Sequence, residues 1–525
     1  MTSPAPAPRR APQSPQNSQS PQSPQPELSR SLRNRHMSMI AIGGAIGAGL
    51  FVGSGSVIKT AGPAAIVSYC LAGALVLCTM RMLGEMVVAK PSSGSFADYA
   101  RTAIGPWAGF TIGWLYWYYY VIIVAVEAVA GAAILHAWIG LPLWVLAMGL
   151  MVVMTATNLL SVKSFGEFEF WFSSVKVAAI VAFLIVGGLY VFGAWPGASF
   201  DFSNLTSHGG FAPNGFTSIF SAIVVVIFAF GGAEIVTIAA AESKEPERSV
   251  ARATTGIIWR IILFYVGSIV LVVTIVPWDS AKVLASPYVA AWKIIGLPGA
   301  SVVMDVVILT AVLSVLNSSV YVSSRMLRAL ATHGDAPGWL VATNKRNVPA
   351  RAILAGTVVG WVSVLFAYLS PDTVFSYLVN SSGAIAIFMY LMIGVSQLRM
   401  RRRMEREAPE RLTLRMWLFP YLTWVVMAGF AAVLVAMAVI GDQRTQLFTS
   451  LGSLAVVLLA YGVRRARGPR RPEQLGDGIG SGAGSGTGAG GGGGPEAGTE
   501  IETGTGGGSG DAVAGGPGTE ALPTR

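Results

Sequence analysis

The sequence predicts an all-α membrane protein with twelve transmembrane helices, and three observations carry that prediction. Of its 525 residues, 53% are hydrophobic and only 12% charged. Mean hydropathy is +0.60. Apolar runs of about 20 residues, the length that crosses a bilayer, recur from Met37 to Val463. Soluble domains are about one quarter charged, so this composition excludes one. A β-barrel would need alternating segments of about ten residues, which the sequence lacks.

Read in order, the spans fall near 38–58, 65–88, 108–136, 141–160, 170–193, 216–241, 257–277, 301–325, 352–369, 374–398, 417–440 and 445–463. The net charge of +10 is distributed by side rather than by surface patch. Arg30, Arg33 and Arg35, then Lys244, Arg248 and Arg252, then Arg325 and Arg328, precede a dense block from Arg399 to Arg415. With twelve spans these all lie on one side, and the opposite loops hold only Lys59, Lys282, Lys293 and Arg444. Positively charged loops stay in the cytoplasm, so both termini are expected there and the protein in the cell membrane. The basic charge therefore sets orientation, and no nucleic-acid partner is implied.

Residues 1–31, rich in Pro, Ser and Gln, and residues 466–525, dominated by Gly, have no apolar face to bury. They are expected to be disordered cytoplasmic tails on a transporter domain at 32–465. Featureless tails point to no obligate protein partner. Cys70 and Cys78 lie eight residues apart in one span and cannot pair within a helix. The four histidines are scattered and no HExxH or Cys/His cluster exists, so neither a metal nor another cofactor is expected.

Span 1 carries IGGAIGAGLFVGSG, six glycines between Ile42 and Gly55. Gly43 with Gly47, and Gly49 with Gly53, are GxxxG pairs that let helices pack closely. The density points further, since a run without side chains also permits a helix to unwind. Unwinding exposes N–H groups at the start of the second half-helix, where they and the dipole attract a carboxylate. Span 6 carries a matching break, FAFGGAE from Phe228 to Glu234, whose freed carbonyls can accept from an ammonium. Interrupted spans five helices apart point to a five-plus-five inverted repeat with its site at the breaks, followed by two extra helices. A small zwitterion fits both halves. As nucleotide loops these glycines fail, for no Walker lysine follows and the third Rossmann glycine is missing.

Five stretches, RHMSMIAIGGAIGAGLFVGSG, RMLGEMVVAKPSSGSFADYA, SVKSFGEFEFWFSSVKVAAI, GAEIVTIAAAESKEPERSV and NSSVYVSSRMLRAL, resemble the bacterial amino acid permeases of the amino acid–polyamine–organocation superfamily. The likeness runs from about Leu32 to Val463. It implies the LeuT-like form of the repeat with helices 1 and 6 broken, and proton-coupled amino acid uptake by alternating access. 4-Aminobutyrate (GABA) is the first candidate substrate. Proline, aromatic or basic amino acids, exchange without net proton movement, and a non-transporting sensor are the alternatives. By the same resemblance Gly47, Ala48 and Gly49 match the bend that holds a substrate carboxylate. Phe228 matches an aromatic gate, and Ala229, Gly231 and Gly232 the unwound carbonyl segment. Ala48 departs from relatives with a hydroxyl there, which leaves the carboxylate to backbone amides.

Ionisable groups inside spans are costly and are functional candidates by default. Lys176, seven residues into span 5, resembles the buried lysine that replaces a sodium ion in proton-driven relatives. The bland alternative is a lysine that snorkels to the interface. Glu127, deep in span 3, is a candidate for a proton or the substrate ammonium, or else a structural carboxylate. Glu234, just past the span-6 break, matches a gating or proton-linked carboxylate in relatives; capping the broken helix is the alternative. Trp114 and Tyr118 are the helically spaced choices from an aromatic run that covers every face of span 3. Asn317 and Ser318, at midspan in span 8, either line the cavity or bond between helices. Arg81 and Glu85 are expected to pair at the end of span 2. Nothing in the chain assembles a Ser/His/Asp set, so no enzyme is expected.

Overall fold

The computed structural model describes residues 46–90, 96–160, 162–234, 256–280, 286–344, 348–369 and 371–467. The expected tail 1–31, and all but the first two residues of 466–525, lie outside the described residues. Those described form helices and turns, with no strand among them. That follows from the solvent: inside a bilayer every N–H and C=O must be satisfied within its own segment, and a helix does so.

In chain order the helices are α1 (Ala48–Phe51), α2 (Gly53–Ala61), α3 (Ala65–Ala89), the short α4 (Phe96–Ala103), α5 (Pro106–Ile139), α6 (Leu143–Leu160), α7 (Val162–Val191) and α8 (Thr217–Ala229). Then follow α9 (Gly256–Ile275), α10 (Pro287–Ile295), α11 (Ala300–Thr332), α12 (Ala350–Leu369), α13 (Pro371–Glu407), α14 (Tyr421–Val439) and α15 (Gly441–Ala466). Among the described residues nine helical stretches are long and apolar enough to cross a membrane. The first, Ala48–Ala89, is 42 residues long and takes in parts of two expected spans. Two shorter apolar helices, α8 and the Ala350–Val362 part of α12, stand where spans 6 and 9 are expected. The rest of expected span 6 lies outside the described residues.

The long helix α5 is the axis of the bundle. It packs along α11, α13 and α12, with α6 and α4 beside it. Its most apolar window is 61% buried, against 11% for that of α15, which leaves the last helix at the rim. Buried polar groups tie the ends of the helices. The expected Arg81–Glu85 pair interacts electrostatically, but each side chain makes its hydrogen bonds elsewhere. Glu85 turns inward and accepts from Arg401 Nη1 at 2.8 Å, Gln397 Nε2 at 3.0 Å and the Met416 amide. Arg81 Nε instead donates to the Arg415 carbonyl at 3.0 Å. The reason is burial: Glu85 is 2% exposed, and a desolvated carboxylate needs several close donors, which α13 brings. A second tie gathers at Asp335, past the end of α11, whose carboxylate holds both Arg101 of α4 and Arg464 of α15.

Candidate functional site

The chain enters α1 from an extended Gly47, with φ −141° and ψ −151°. The helix therefore starts inside the bundle, and the first amides have no carbonyl behind them. The Ala48 amide donates to both oxygens of Glu127, at 3.2 and 3.1 Å. A carboxylate of the protein itself thus occupies the place that the sequence reserves for a ligand's. Across from it α8 stops at Ala229. The Gly231 amide turns back to the Phe228 carbonyl at 2.9 Å, and Gly232 takes φ +92°, a conformation that costs a residue with a Cβ about 1–2 kcal/mol. Gly49 allows the start of α1 and the end of α8 to meet, since a Cβ there would lie 2.6 Å from Ala229 Cα.

Gly47, Gly49, Glu127, Phe228, Ala229 and Gly231 line one hollow, together with Ile123 and Val315. Its volume is about 10 Å³, room for about one water molecule. A zwitterion enters only if the walls part. Ala48 and Gly232 flank the hollow through the backbone contacts just described. Other candidates stand elsewhere. The Trp114 indole donates to the Asp335 carbonyl at 3.2 Å, at the far end of α5. Tyr118 packs half-buried against the core and does not line the hollow. Asn317 accepts from Asn158 of α6 at 2.8 Å, a bond between helices, and Ser318 likewise reaches across, to Glu169 at 3.0 Å.

Lys176 has no exposed surface, so it does not snorkel. Its Nζ donates to Ser314 Oγ at 2.8 Å, and Ser314 donates to Glu169 Oε1 at 2.7 Å. Glu169 also accepts from Ser173 at 3.0 Å. The lysine interacts electrostatically with both Glu169 and Glu127, which links this relay to the hollow. Sequence reasoning missed Glu169, yet the signal existed: it lies seven residues before Lys176, two turns along one helix face. Glu234 follows the second interruption, with Tyr120 donating to its Oε1 at 3.1 Å and the Gly232 amide at 3.4 Å. Among the described residues no group of three or more His, Cys, Asp or Glu could hold a metal.

Long apolar helices around a buried hollow, where the start of α1 meets the end of α8, are the build of a polytopic membrane protein. The chain belongs to the amino acid permease family, whose model matches residues 36–467. It is 54% identical to the gamma-aminobutyric acid permease of Bacillus subtilis (strain 168) over 442 residues, 84% of this chain and 94% of that protein. The gamma-aminobutyric acid permease of Escherichia coli (strain K12) is 46% identical, covering 82% of this chain and 93% of its own length. The aromatic amino acid transport protein of Corynebacterium glutamicum is 38% identical, covering 85% and 98%. The protein is thus a multi-pass membrane protein that acts on small amino acids.

Proposed function

We propose that this permease imports GABA together with protons, by alternating access, as a single-protein carrier in the cell membrane. The observation that carries the reading is the Ala48 amide, which is presented to a carboxylate opposite the interrupted end of α8. GABA permeases among the most similar relatives supply the substrate. Ala48 has no side-chain hydroxyl to add, so the carboxylate seat rests on its backbone amide.

In this reading the twelve spans comprise two inverted sets of five and two extra helices. The 42-residue stretch Ala48–Ala89 counts as two of them, and α8 and α12 as one each. Both termini face the cytoplasm, and the tails 1–31 and 466–525 take no part in transport. The substrate carboxylate displaces Glu127 from the Ala48 amide. Two carboxylate anions cannot share a hollow of about 10 Å³, because like charges at contact in a low dielectric repel by several kcal/mol. Glu127 therefore takes a proton as it leaves the amide, which ties one proton to substrate entry. Lys176, with Ser314 and Glu169, passes that proton on, and Glu234 gates the cytoplasmic half.

The test is uptake of labelled GABA by proteoliposomes that contain this protein alone, with an imposed pH gradient, against a panel of amino acids. Saturable accumulation that an uncoupler abolishes is the expected result. Accumulation of proline, aromatic or basic amino acids without GABA would reassign the substrate. Accumulation driven only by preloaded amino acid would make it an exchanger, and binding without accumulation a sensor.

A further inference from the structure

The end of α8 should offer backbone carbonyls to a ligand's amine, but three of the carbonyls there are already engaged. The Ala229 carbonyl accepts from Tyr265 at 3.0 Å, that of Phe228 from the Gly231 amide at 2.9 Å, and that of Phe230 from the Ala233 amide at 3.2 Å. Two side-chain oxygens at the same place are not engaged. Tyr119 Oη and Glu234 Oε2 are buried, belong to residues 1% and 2% exposed, and make no hydrogen bond of normal geometry among the described residues, although Tyr116 also stands close enough to the Glu234 carboxylate to interact with it. A buried polar atom without a partner costs about 1–3 kcal/mol, which a donor arriving with the ligand would recover.

Position along α5 gives these atoms a purpose. Tyr119, Ile123 and Glu127 follow at intervals of four, on one face of the helix. The Tyr119 hydroxyl lies against Gly231, where a Cβ would overlap it. Ile123 and Glu127 line the hollow, with Gly231 on its opposite wall. The face therefore reads, in order, a hydroxyl beside a carboxylate oxygen, an aliphatic side chain, and the carboxylate-binding amide that Glu127 now holds.

We infer that Tyr119 Oη and Glu234 Oε2 form the seat of the ligand's primary ammonium, separate from the Ala48 amide that takes its carboxylate, so that the site favours amino acids whose amine stands several carbons from the carboxylate. An ammonium has three donors and no acceptor, so it suits two acceptor oxygens. The Tyr119 and Tyr120 rings, 5.4 Å apart between centroids, add π faces for the cation. Methylenes between the two charges pass Ile123. An α-amino acid carries both groups on one carbon, within two bonds of about 1.5 Å, and on this inference fills the two seats less well than an amino acid with methylenes between them. Arg260 of α9 also interacts electrostatically with Glu234, so the ammonium shares that carboxylate with a guanidinium.

This inference deepens the GABA reading and rests on it. The experiment compares native protein with Tyr119→Phe and Glu234→Gln in proteoliposomes, with labelled GABA and three competitors: unlabelled GABA, butyrate and 2-aminobutyrate. Both substitutions preserve shape, and melting temperature in detergent checks that each variant folds. The expected result is that Tyr119→Phe raises the half-inhibitory concentration of GABA about tenfold, the factor that one hydrogen bond to a charged group supplies, and leaves that of butyrate unchanged. Equal loss for GABA and butyrate, or no loss for either, would overturn the amine seat. If the native protein carries another amino acid and not GABA, the substrate proposal falls. The seat is then read from that amino acid and its deaminated analogue with the same two variants.

Discussion

At Lys176 a cation with no exposed surface is answered by a hydroxyl and, beyond it, the carboxylate of Glu169. Lysine in such a place can shed its charge, which a structural residue does not need to do and a proton carrier does. Lys176→Met should keep counterflow of labelled substrate and lower accumulation driven by a pH gradient by about tenfold or more, about 1.4 kcal/mol in driving force. Undiminished driven accumulation in that variant would assign the proton to another group. Glu169→Gln should cost stability, because it removes the nearer of the two carboxylates that face the buried lysine. The pair should then be coupled: the double variant Lys176→Met with Glu169→Gln should regain about 1–3 kcal/mol relative to the sum of the single ones, in a cycle read by chemical denaturation. Single residues were unevenly legible in the sequence. An ionisable group inside a span stands out by cost alone, which is why Lys176, Glu127 and Glu234 were visible. The aromatic run of α5 was not resolved by type, since it covers every face. Counting back from Glu127 in steps of four reaches Ile123 and Tyr119, whereas Trp114 and Tyr118 lie on another face.

Between elements, the contact that matters is that of α1 with the end of α8. Two helix axes approach this closely only where one of them carries no side chain. At Gly49 the obstruction to a Cβ is backbone, Ala229 Cα at 2.6 Å, so a neighbouring rotamer cannot relieve it. One turn further on, a Cβ at Gly53 would meet Val225 Cγ1 at 3.5 Å, an ordinary contact. Gly49→Val should therefore force the interruptions apart, cost about 1–3 kcal/mol as overpacking does, and abolish uptake. Gly53→Ala should stay within about 0.5 kcal/mol of the native protein and retain uptake, as a substitution without a clash does. Melting temperature and GABA uptake, measured on both variants, check this; equal tolerance at the two positions would mean that α1 and α8 are not held together by Gly49. Glycine density in the sequence marks the start of α1 and the end of α8, because close approach and irregular backbone both need residues without side-chain cost. What filled them was not marked. The bond from Tyr265 to the Ala229 carbonyl joins residues 36 positions apart, and nothing local announces it.

For the molecule as a whole, span length and hydropathy made the helices legible, because lipid permits few alternatives to them. The ties between helix ends were not legible, because they are made by residues hundreds of positions apart that share only a depth in the membrane. Asp335 is the clearest case. Its side chain is fully buried, and it joins Arg101 on α4 to Arg464 on α15, while the Trp114 indole bonds to its carbonyl. Three separate parts of the bundle are thereby closed at one end, which an alternating-access carrier must open once in each cycle. Removing the shared anion leaves two guanidinium groups facing each other with nothing between them. Loss of one partner from a fully buried pair costs about 3–5 kcal/mol. The effect here should be smaller, about 2 kcal/mol, because the Arg464 side chain is 41% exposed and water screens it. Even about 1.4 kcal/mol changes the ratio of open to closed forms tenfold. Asp335→Asn should therefore lower the melting temperature and favour the form open at that end. The measurement is the rate at which a hydrophilic thiol reagent, added from that side, modifies Ile123→Cys at the hollow in a background with Cys70 and Cys78 replaced by serine. A several-fold faster reaction with Asp335→Asn present is the expected outcome. An unchanged rate with a lowered melting temperature would make the Asp335 tie a brace for the fold and not a latch on the transport cycle.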